Sequence, residues 1–201
     1  MNKKLLGLFG GTFDPIHCGH MEVAHLALNY LKLDELLFIP AGDPYLKSDT
    51  RKITDPRTRL EMIELAINDE GEKKFSSSDV EIKRKGPSYT LETVIKYKKD
   101  GMKTIVILGI DSILSMSKWK NPEALIKESN ILAITRPGTD LTDFYNMNIK
   151  GIHNSVEVLK VDTPDITASN IRNRIKSQLD VKNMLSPSVE NFIKAKKLYC
   201  Q

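Results

Sequence analysis

The chain has 201 residues, the length of one domain with a complete hydrophobic core. Its 40% hydrophobic and 28% charged residues are ordinary for a globular protein, and its formal net charge of +4 at pH 7 suits anionic small molecules. Basic residues are interspersed with acidic ones and aromatic residues make up only 6%, so nucleic acid is not an expected partner.

The N-terminal residues 1–9 superficially resemble a signal peptide, with two lysines before an apolar run. That run is too short and leads into Gly10 without a small-residue cleavage pattern. No segment approaches the length of a membrane span, so no membrane partner is expected. Cys18 and Cys200 are the only cysteines and lie far apart, which predicts reduced thiols in a cytoplasmic protein.

The first predicted element is a buried strand over residues 5–9, followed by a tight loop and a helix. The helix has one apolar face, made by Val23, Ala24, Ala27, Leu28 and Leu31. Gly10 and Gly11 let the backbone approach a ligand closely, and the start of the helix offers free N–H groups to an anion. With His17 and His20 beside these groups, the segment predicts a phosphate site.

Two alternatives remain open for this histidine pair at the level of the residues alone. His17, Cys18 and His20 are candidate zinc ligands, or the histidines are core residues. Zinc normally requires more imidazole or thiolate ligands than this segment offers, and the whole chain has four histidines. The zinc site is therefore the minor alternative.

Farther along the chain, apolar runs alternate with amphipathic segments. Strands are predicted at residues 36–39, 104–108, 131–134 and 156–161, and helices at 57–67 and 170–179. Ser186 and Pro187 predict the start of a last helix. The alternation indicates the α/β class, with a Rossmann-like doubly wound parallel sheet and a small helical C-terminal region.

Polar segments follow the predicted strands directly, at residues 10–20, 40–47, 109–111 and 135–138. In open α/β sheets, ligands bind beyond the carboxyl ends of the strands. A further segment, 163–172, follows the last strand, and Thr167 or Ser169 is its candidate helix cap. Arg172 lies on the same side of the first helical turn as Ser169, which predicts a second phosphate clamp. In isolation, an ordinary capped helix with a solvent-facing arginine is the alternative.

The segment Gly11-Thr12-Phe13-Asp14-Pro15, followed by His17-Cys18-Gly19-His20, closely resembles the signature of the nucleotidyltransferases with an H-x-G-H motif. Ser169-Asn170-Ile171-Arg172 is similar to the C-terminal motif of that superfamily, which holds the triphosphate. Ala168 stands where many relatives have serine. The resemblance implies adenylyl or cytidylyl transfer by one nucleotidyltransferase domain over residues 1–201, with a helical part over about 165–201.

Three further segments narrow the resemblance to the bacterial nicotinate mononucleotide adenylyltransferases, over residues 4–175. They are 86–90, 109–112 and 135–138, together with Trp119, the one tryptophan, whose face suits a pyridine ring. Without this context, Trp119 is simply a packing residue and Tyr89 a loop anchor. The loop after the second strand departs from the family, since Pro44-Tyr45-Leu46-Lys47 lacks the usual second proline and histidine.

The resemblance implies roles for individual residues. His17, His20 and Arg172 are the expected catalytic residues, acting on ATP. The other expected ATP contacts are Gly10, Gly11, Thr12, Phe13, Gly109, Asp111, Arg136 and Ser169. The expected contacts to nicotinate mononucleotide are Lys47, Tyr89, Thr90, Asp111, Trp119 and Arg136.

The implied reaction joins ATP and nicotinate mononucleotide, with Mg²⁺ carried mainly by the nucleotide because the chain has no dense carboxylate cluster. No metal site made of protein ligands is expected, and a homo-oligomer is left open. A phosphopantetheine adenylyltransferase and a non-catalytic nucleotide sensor on the same scaffold are the alternatives. The 86–90 segment and Trp119 argue against the first, and the intact histidines and arginine against the second.

Overall fold

The computed structural model describes residues 3–44, 52–136, 138–161 and 166–200. Within these ranges a six-stranded sheet runs in the order β3-β2-β1-β4-β5-β6, with every neighbouring pair parallel. Its strands are β1 (Leu5–Gly11), β2 (Glu35–Pro40), β3 (Phe75–Ser77), β4 (Lys103–Gly109), β5 (Asn130–Ile134) and β6 (Val156–Leu159).

Helices cover both faces of the sheet. They are α1 (Cys18–Tyr30), α2 (Pro56–Glu70), α3 (Thr90–Lys99), α4 (Ile110–Leu114), α5 (Pro122–Glu128), α6 (Thr142–Tyr145), α7 (Ile152–Ser155), α8 (Ala168–Lys176) and α9 (Pro187–Lys196). A single 3₁₀ turn, Met116–Lys118, lies between α4 and α5. The predicted α/β class, doubly wound parallel sheet and helical C-terminal region are confirmed.

Alternate side chains of each strand enter two separate hydrophobic cores, because successive residues of a strand point to opposite faces. On β2, Leu36 and Phe38 face the core that contains α1, α2, α8 and α9. Leu37 and Ile39 face the other core, which contains α3, α4, α5, α6 and α7. We call these the first core and the second core. Burial on both faces explains why the strands are almost continuously apolar.

The strand order reverses direction between β1 and β4, which lie side by side in the middle of the sheet. Phe9 of β1 pairs with Ile107 of β4 on one side and with Phe38 of β2 on the other. The chain builds outward from β1 to β3, returns to β4, and then builds outward again. A crevice at the carboxyl ends of β1 and β4 is the consequence, and it is where such folds bind ligands.

Some predicted boundaries are wrong by two or three residues. The last strand ends at Leu159 rather than 161, and the helix predicted over 170–179 is α8, which begins at Ala168 and ends at Lys176. The edge strand β3 was not predicted at all, because its three residues include one large apolar side chain and give no periodic pattern. The single-domain assignment stays a prediction. Across the described ranges, every helix is too short or too polar to cross a membrane.

Candidate active site

Two cavities open at the carboxyl ends of the strands. The larger, of about 510 Å³, contains His17 and His20 in its wall, and we call it the histidine cavity. The smaller, of about 170 Å³, contains Trp119 and is called here the tryptophan cavity. Both are lined by the 10–12 segment at the end of β1 and by Ser112. The two cavities therefore share one strip of the protein.

The two histidines lie in the first turn of α1 with their rings stacked, the centroids 3.6 Å apart and the planes at 28°. His17 is the N-cap residue, and its backbone N–H donates to Nδ1 of His20 over 3.3 Å. The His17 side chain is 7% exposed, and within the described residues its Nδ1 has no hydrogen-bond partner. Burial, and secondarily the charge of Arg136, lowers the pKa of His17 to about 3, so this imidazole is neutral near pH 7.

Small and aromatic neighbours explain why the histidines adopt this arrangement. A Cβ atom on Gly19 would lie 3.2 Å from Nδ1 of His17, so a larger residue there would crowd the ring. Phe13, whose φ of 49° is in the left-handed region, makes a T-shaped contact with the His20 ring, with centroids 5.0 Å apart and the planes at 71°. At the start of α1, the Cys18 N–H donates to the carbonyl of Met184 over 2.9 Å. The loop is thereby fixed on both sides.

The opposite wall of the histidine cavity is formed by the start of α8. Thr167 is the N-cap, and its side chain accepts a hydrogen bond from the Asn170 N–H over 3.1 Å. Arg172 donates from Nη2 to Oγ of Ser169 over 3.0 Å and from Nη1 to the carbonyl of Asp14 over 2.7 Å. An arginine, a hydroxyl and helix N–H groups thus face the two imidazoles across one cavity.

Asp111 and Arg136 lie at the rim of the histidine cavity, after β4 and β5 respectively. Nε of Arg136 is 3.5 Å from Oδ2 of Asp111, and both side chains are at least half exposed. A solvent-exposed ion pair contributes little to stability. Both charged groups are accessible to a ligand at the sheet edge.

The tryptophan cavity lies against the second core. Trp119 packs on that core, and its Nε1 is buried without a hydrogen-bond partner in the part of the chain that the structure describes. Facing it is the start of α3, where Tyr89 is the N-cap and Thr90 the first helical residue. The first N–H groups of a helix have no acceptor within it, so they can bind an anion. Nζ of Lys120 lies 4.4 Å from the centroid of the Tyr89 ring and adds a positive charge.

Ser88 ties the 86–90 loop to the end of β2. Its Oγ accepts from the backbone N–H of Gly42 over 2.8 Å and of Asp43 over 3.2 Å, and its own N–H donates to the Asp43 carbonyl over 2.9 Å. A Cβ atom on Gly42 would overlap the carbonyl oxygen of Glu81, so only glycine fits at this close approach. These loops form one wall of the tryptophan cavity.

A buried carboxylate, Glu81, lines the same cavity and is 7% exposed. Its Oε1 accepts from the Thr93 hydroxyl over 2.7 Å, and Nη2 of Arg84 donates to that hydroxyl over 3.0 Å. Burial raises the pKa of Glu81, although the hydrogen bonds and Arg84 oppose the effect. Nη1 of Arg84 also donates to the Tyr89 carbonyl over 3.2 Å, which supports the end of α3 that faces the cavity.

Arg59 of α2 lies beneath the shared strip and is 1% exposed. Its Nη1 donates to the Thr12 carbonyl over 2.7 Å, its Nη2 to the Ala41 carbonyl over 2.6 Å, and its Nε to the Thr54 carbonyl over 2.8 Å. One guanidinium therefore joins the loops that follow β1 and β2 to the start of α2.

Comparison with known proteins identifies the family. The family model described as cytidylyltransferase-like matches residues 8–174. A Clostridium tetani protein named probable nicotinate-nucleotide adenylyltransferase is 38% identical over 205 residues, which cover 99% of this chain and 100% of the relative. The chain belongs to the nicotinate-nucleotide adenylyltransferases of the cytidylyltransferase-like family. A Dehalococcoides mccartyi relative of the same name is 35% identical, with 97% of each chain covered.

Solved structures show the same fold. The nicotinic acid mononucleotide adenylyltransferase of Plasmodium falciparum complexed with NaAD superimposes with a TM-score of 0.79 at 20% identity, covering 98% of each chain. The same enzyme complexed with APC gives a TM-score of 0.76, again at 20% identity and 98% coverage of each chain. The resemblance stated from the sequence motifs is confirmed.

The structure brings most of the predicted site residues of this adenylyltransferase together. The histidine cavity contains all of the predicted catalytic and ATP contacts: Gly10, Gly11, Thr12, Phe13, His17, His20, Gly109, Asp111, Arg136, Ser169 and Arg172. Tyr89, Thr90 and Trp119 line the tryptophan cavity. Asp111 and Arg136 lie in the first cavity only. Of the altered loop, Pro44 lines the tryptophan cavity, whereas Lys47 and its neighbours Tyr45 and Leu46 lie outside the described residues.

The zinc alternative finds no support in the described ranges, where no three groups among His, Cys, Asp and Glu lie together as metal ligands would. Cys18 is a half-buried free thiol, and burial raises its pKa.

Sequence reasoning missed Arg59, Glu81, Ser112 and Lys120 of this adenylyltransferase. Only Arg59 carried a usable signal: it lies three, four and seven residues before Met62, Ile63 and Ala66, on the buried stripe of α2. An arginine on a buried helix face requires partners for its five donors, so it marks a structural junction.

Proposed function

We propose that this chain transfers the adenylyl group of ATP to nicotinate mononucleotide, which gives nicotinate adenine dinucleotide and pyrophosphate in NAD biosynthesis. One observation carries the proposal. A cavity with two imidazoles and an arginine adjoins a cavity with the one tryptophan, and the 10–12 segment and Ser112 line both. Two nucleotides bound in these cavities would meet with their phosphates at the shared strip.

The chemistry requires positioning rather than a protein nucleophile. A phosphate oxygen of nicotinate mononucleotide attacks the α-phosphorus of ATP, and the bond from that phosphorus to the bridging oxygen of pyrophosphate breaks. The attacking phosphate is already anionic, so no strong base is needed. Alignment of the two phosphates and stabilisation of the charge that develops supply the rate enhancement.

On the ATP side, His17 and His20 would donate hydrogen bonds to the α- and β-phosphates, and Gly10, Gly11, Thr12 and Phe13 would bring the backbone close to them. Because the pKa of His17 is about 3 in the unliganded protein, this ring is neutral and would offer a single N–H group to a phosphate. Arg172 and Ser169, at the start of α8, would hold the leaving pyrophosphate. Gly109, Asp111 and Arg136 would contact the nucleoside at the carboxyl ends of β4 and β5.

On the acceptor side, the Trp119 ring would stack on the pyridine, and the N–H groups at Tyr89 and Thr90 would bind the nicotinate carboxylate. Lys120, which lies over the Tyr89 ring, supports a preference for the acid over the amide. Asp111 would accept from a ribose hydroxyl, and Arg136 beside it would contact the phosphate. We keep Lys47 as a proposed phosphate contact from the sequence.

Magnesium fits this site as part of the ATP complex. Among the described residues, two carboxylates line the histidine cavity: Asp14, which is 1% exposed and accepts a hydrogen bond from Tyr199, and Asp111, which is exposed. Mg²⁺ retains several water ligands and is commonly bound by one or two carboxylates and by substrate phosphates. Asp111 is therefore the residue that would assist it. Bound to the triphosphate, Mg²⁺ would neutralise charge that would otherwise repel the incoming phosphate.

We also propose that residues 1–201 form one domain, that ATP and nicotinate mononucleotide are its partners, and that the protein works in the cytoplasm. The free thiols of Cys18 and Cys200 support a reducing compartment.

Pyrophosphate release tests the function directly. Purified protein is mixed with ATP and Mg²⁺ and receives nicotinate mononucleotide, nicotinamide mononucleotide or phosphopantetheine in separate reactions. We expect release with nicotinate mononucleotide far above release with the amide. Release with phosphopantetheine alone would be consistent with the superfamily but would contradict nicotinate mononucleotide as the acceptor. Measurable ATP binding with no release in any reaction would indicate a nucleotide sensor.

A further inference from the structure

Tyr199, beyond the last helix, makes a direct contact with the loop that carries the catalytic motif. Its hydroxyl donates to Oδ1 of Asp14 over 2.7 Å, although the two residues are 185 positions apart. Burial, with the charge of Asp14, raises the pKa of Tyr199. The phenol is therefore protonated near neutral pH and acts as the hydrogen-bond donor.

The backbone around Tyr199 is arranged to place this side chain. After α9, Lys197 and Tyr199 have φ values of 52° and 64°, and the Leu198 N–H donates to the carbonyl of Ile193 over 3.0 Å. Left-handed backbone at two non-glycine residues costs about 1 kcal/mol or more each, so specific contacts must offset it. Leu198 and Tyr199 both pack against the first core.

Asp14 connects Tyr199 to the triphosphate clamp. Its carboxylate accepts from Tyr199, while its backbone carbonyl accepts from Nη1 of Arg172. The other terminal nitrogen of Arg172 donates to Ser169. The position of the Asp14 peptide therefore sets where this guanidinium lies in the histidine cavity.

The Tyr199 hydroxyl also lies near Thr54, in the loop that precedes α2. The Thr54 side chain also faces the Tyr199 hydroxyl and lowers its pKa, against the larger effect of burial. The Thr54 carbonyl accepts from Nε of Arg59, whose other nitrogens hold Thr12 and Ala41. Thr54 thus lies between Arg59, which holds the shared strip, and Tyr199, which holds Asp14.

We propose that Tyr199 is a positioning residue for ATP: by holding the Asp14 carboxylate it fixes the peptide that orients Arg172 toward the triphosphate. The proposal rests on the proposed function only in taking ATP as the ligand of the histidine cavity. Tyr199 itself touches no substrate in this assignment, since it does not line the cavity.

The test is Tyr199→Phe, which removes one hydroxyl and keeps the ring that packs against the core. We expect the Kd of α,β-methylene-ATP, measured by calorimetry, to rise about tenfold, as the loss of one hydrogen bond to a charged group predicts. The KM for ATP rises with it, whereas the KM for nicotinate mononucleotide changes less than about twofold. Tyr145→Phe, on an exposed tyrosine, is the matched control and leaves all three values unchanged.

A second variant separates positioning from general stability. In Asp14→Ala the carboxylate that accepts from Tyr199 is removed, so this variant also binds the analogue more weakly. Adding Tyr199→Phe to Asp14→Ala should weaken binding little further, because the contact that the hydroxyl makes with Asp14 is already lost.

An unchanged Kd in Tyr199→Phe overturns the proposal, even if the melting temperature falls. Equal losses for both substrates, or fully additive effects in the double variant, overturn it as well. The binding comparison needs no turnover: a wild-type protein that binds the analogue and transfers nothing refutes the proposed function alone. A wild-type protein that does not bind the analogue refutes both.

Discussion

The rings of His17 and His20 stack at 3.6 Å between centroids, with Nδ1 of His20 accepting from the His17 backbone N–H. This arrangement buries His17 and leaves His20 partly exposed to the cavity. The two imidazoles of one motif therefore differ in environment, and substitutions of each have different consequences.

His17 makes the stability of the unliganded protein depend on pH. Its pKa is about 3 in the folded state and 6.5 for a fully solvated histidine side chain. Between pH 3 and pH 6.5, His17 is therefore protonated in the unfolded chain but neutral in the folded chain. Stability therefore falls as the pH falls from 6.5 toward 3. Relative to His17→Gln, the wild type should lose about 2 kcal/mol of unfolding free energy between pH 7.5 and pH 5. Urea denaturation of both proteins measures the difference, and parallel pH curves would contradict the prediction.

His20 should affect turnover much more than folding. We expect His20→Ala to lower kcat by a factor of about 10²–10³, as removal of one donor to developing negative charge typically does. His25→Ala is a matched control from the same helix, because His25 contacts Glu70 at 2.6 Å and does not line the histidine cavity. Steady-state pyrophosphate release gives both values. If the two variants turn over equally fast, the assigned role of His20 is wrong.

Trp119 should report on the acceptor nucleotide alone. As the one tryptophan, it supplies all indole emission, and a pyridine ring stacked on it should quench that emission. We expect quenching on titration with nicotinate mononucleotide but not with ATP. Trp119→Phe should raise the KM for the acceptor about tenfold and leave the KM for ATP nearly unchanged. Quenching by ATP but not by nicotinate mononucleotide would instead place ATP in the tryptophan cavity and contradict the assignment.

Arg59 should contribute to stability and to both substrate sites. Arg59→Met leaves three carbonyl groups without their donor, which should cost about 3 kcal/mol of unfolding free energy and raise both KM values. Arg59→Lys keeps the charge but not the planar fork, so it should recover only part of the loss. Arg57→Met, on the exposed side of the same helix, should change stability by less than about 0.5 kcal/mol. Equal denaturation curves for the Met variants at 59 and 57 would contradict this assignment.

The sequence predicted those strands and helices whose residues form a recognisable pattern within a short segment. The continuous apolar runs identified β1, β2, β4, β5 and β6, and the histidine motif identified the start of α1. The contact between Tyr199 and Asp14 left no such trace, because 185 positions separate them and neither belongs to a periodic segment at that point. Glu81 was missed for a related reason. Its buried carboxylate is stabilised by a hydrogen bond from Thr93 of α3, which in turn accepts from Arg84 of an irregular loop, and the local sequence around Glu81 does not reveal these partners.

The two hydrophobic cores support different parts of the active site. Helices α1 and α8, which face the histidine cavity, pack on the first core, whereas α3 and α5 and the Trp119 segment pack on the second core. Substitutions in the second core should therefore change the acceptor pocket and the position of Asp111 at the start of α4, while the two histidines and Arg172 keep their support from the first core. We therefore expect changes in the second core to alter which acceptor is bound more readily than they alter how the triphosphate is held.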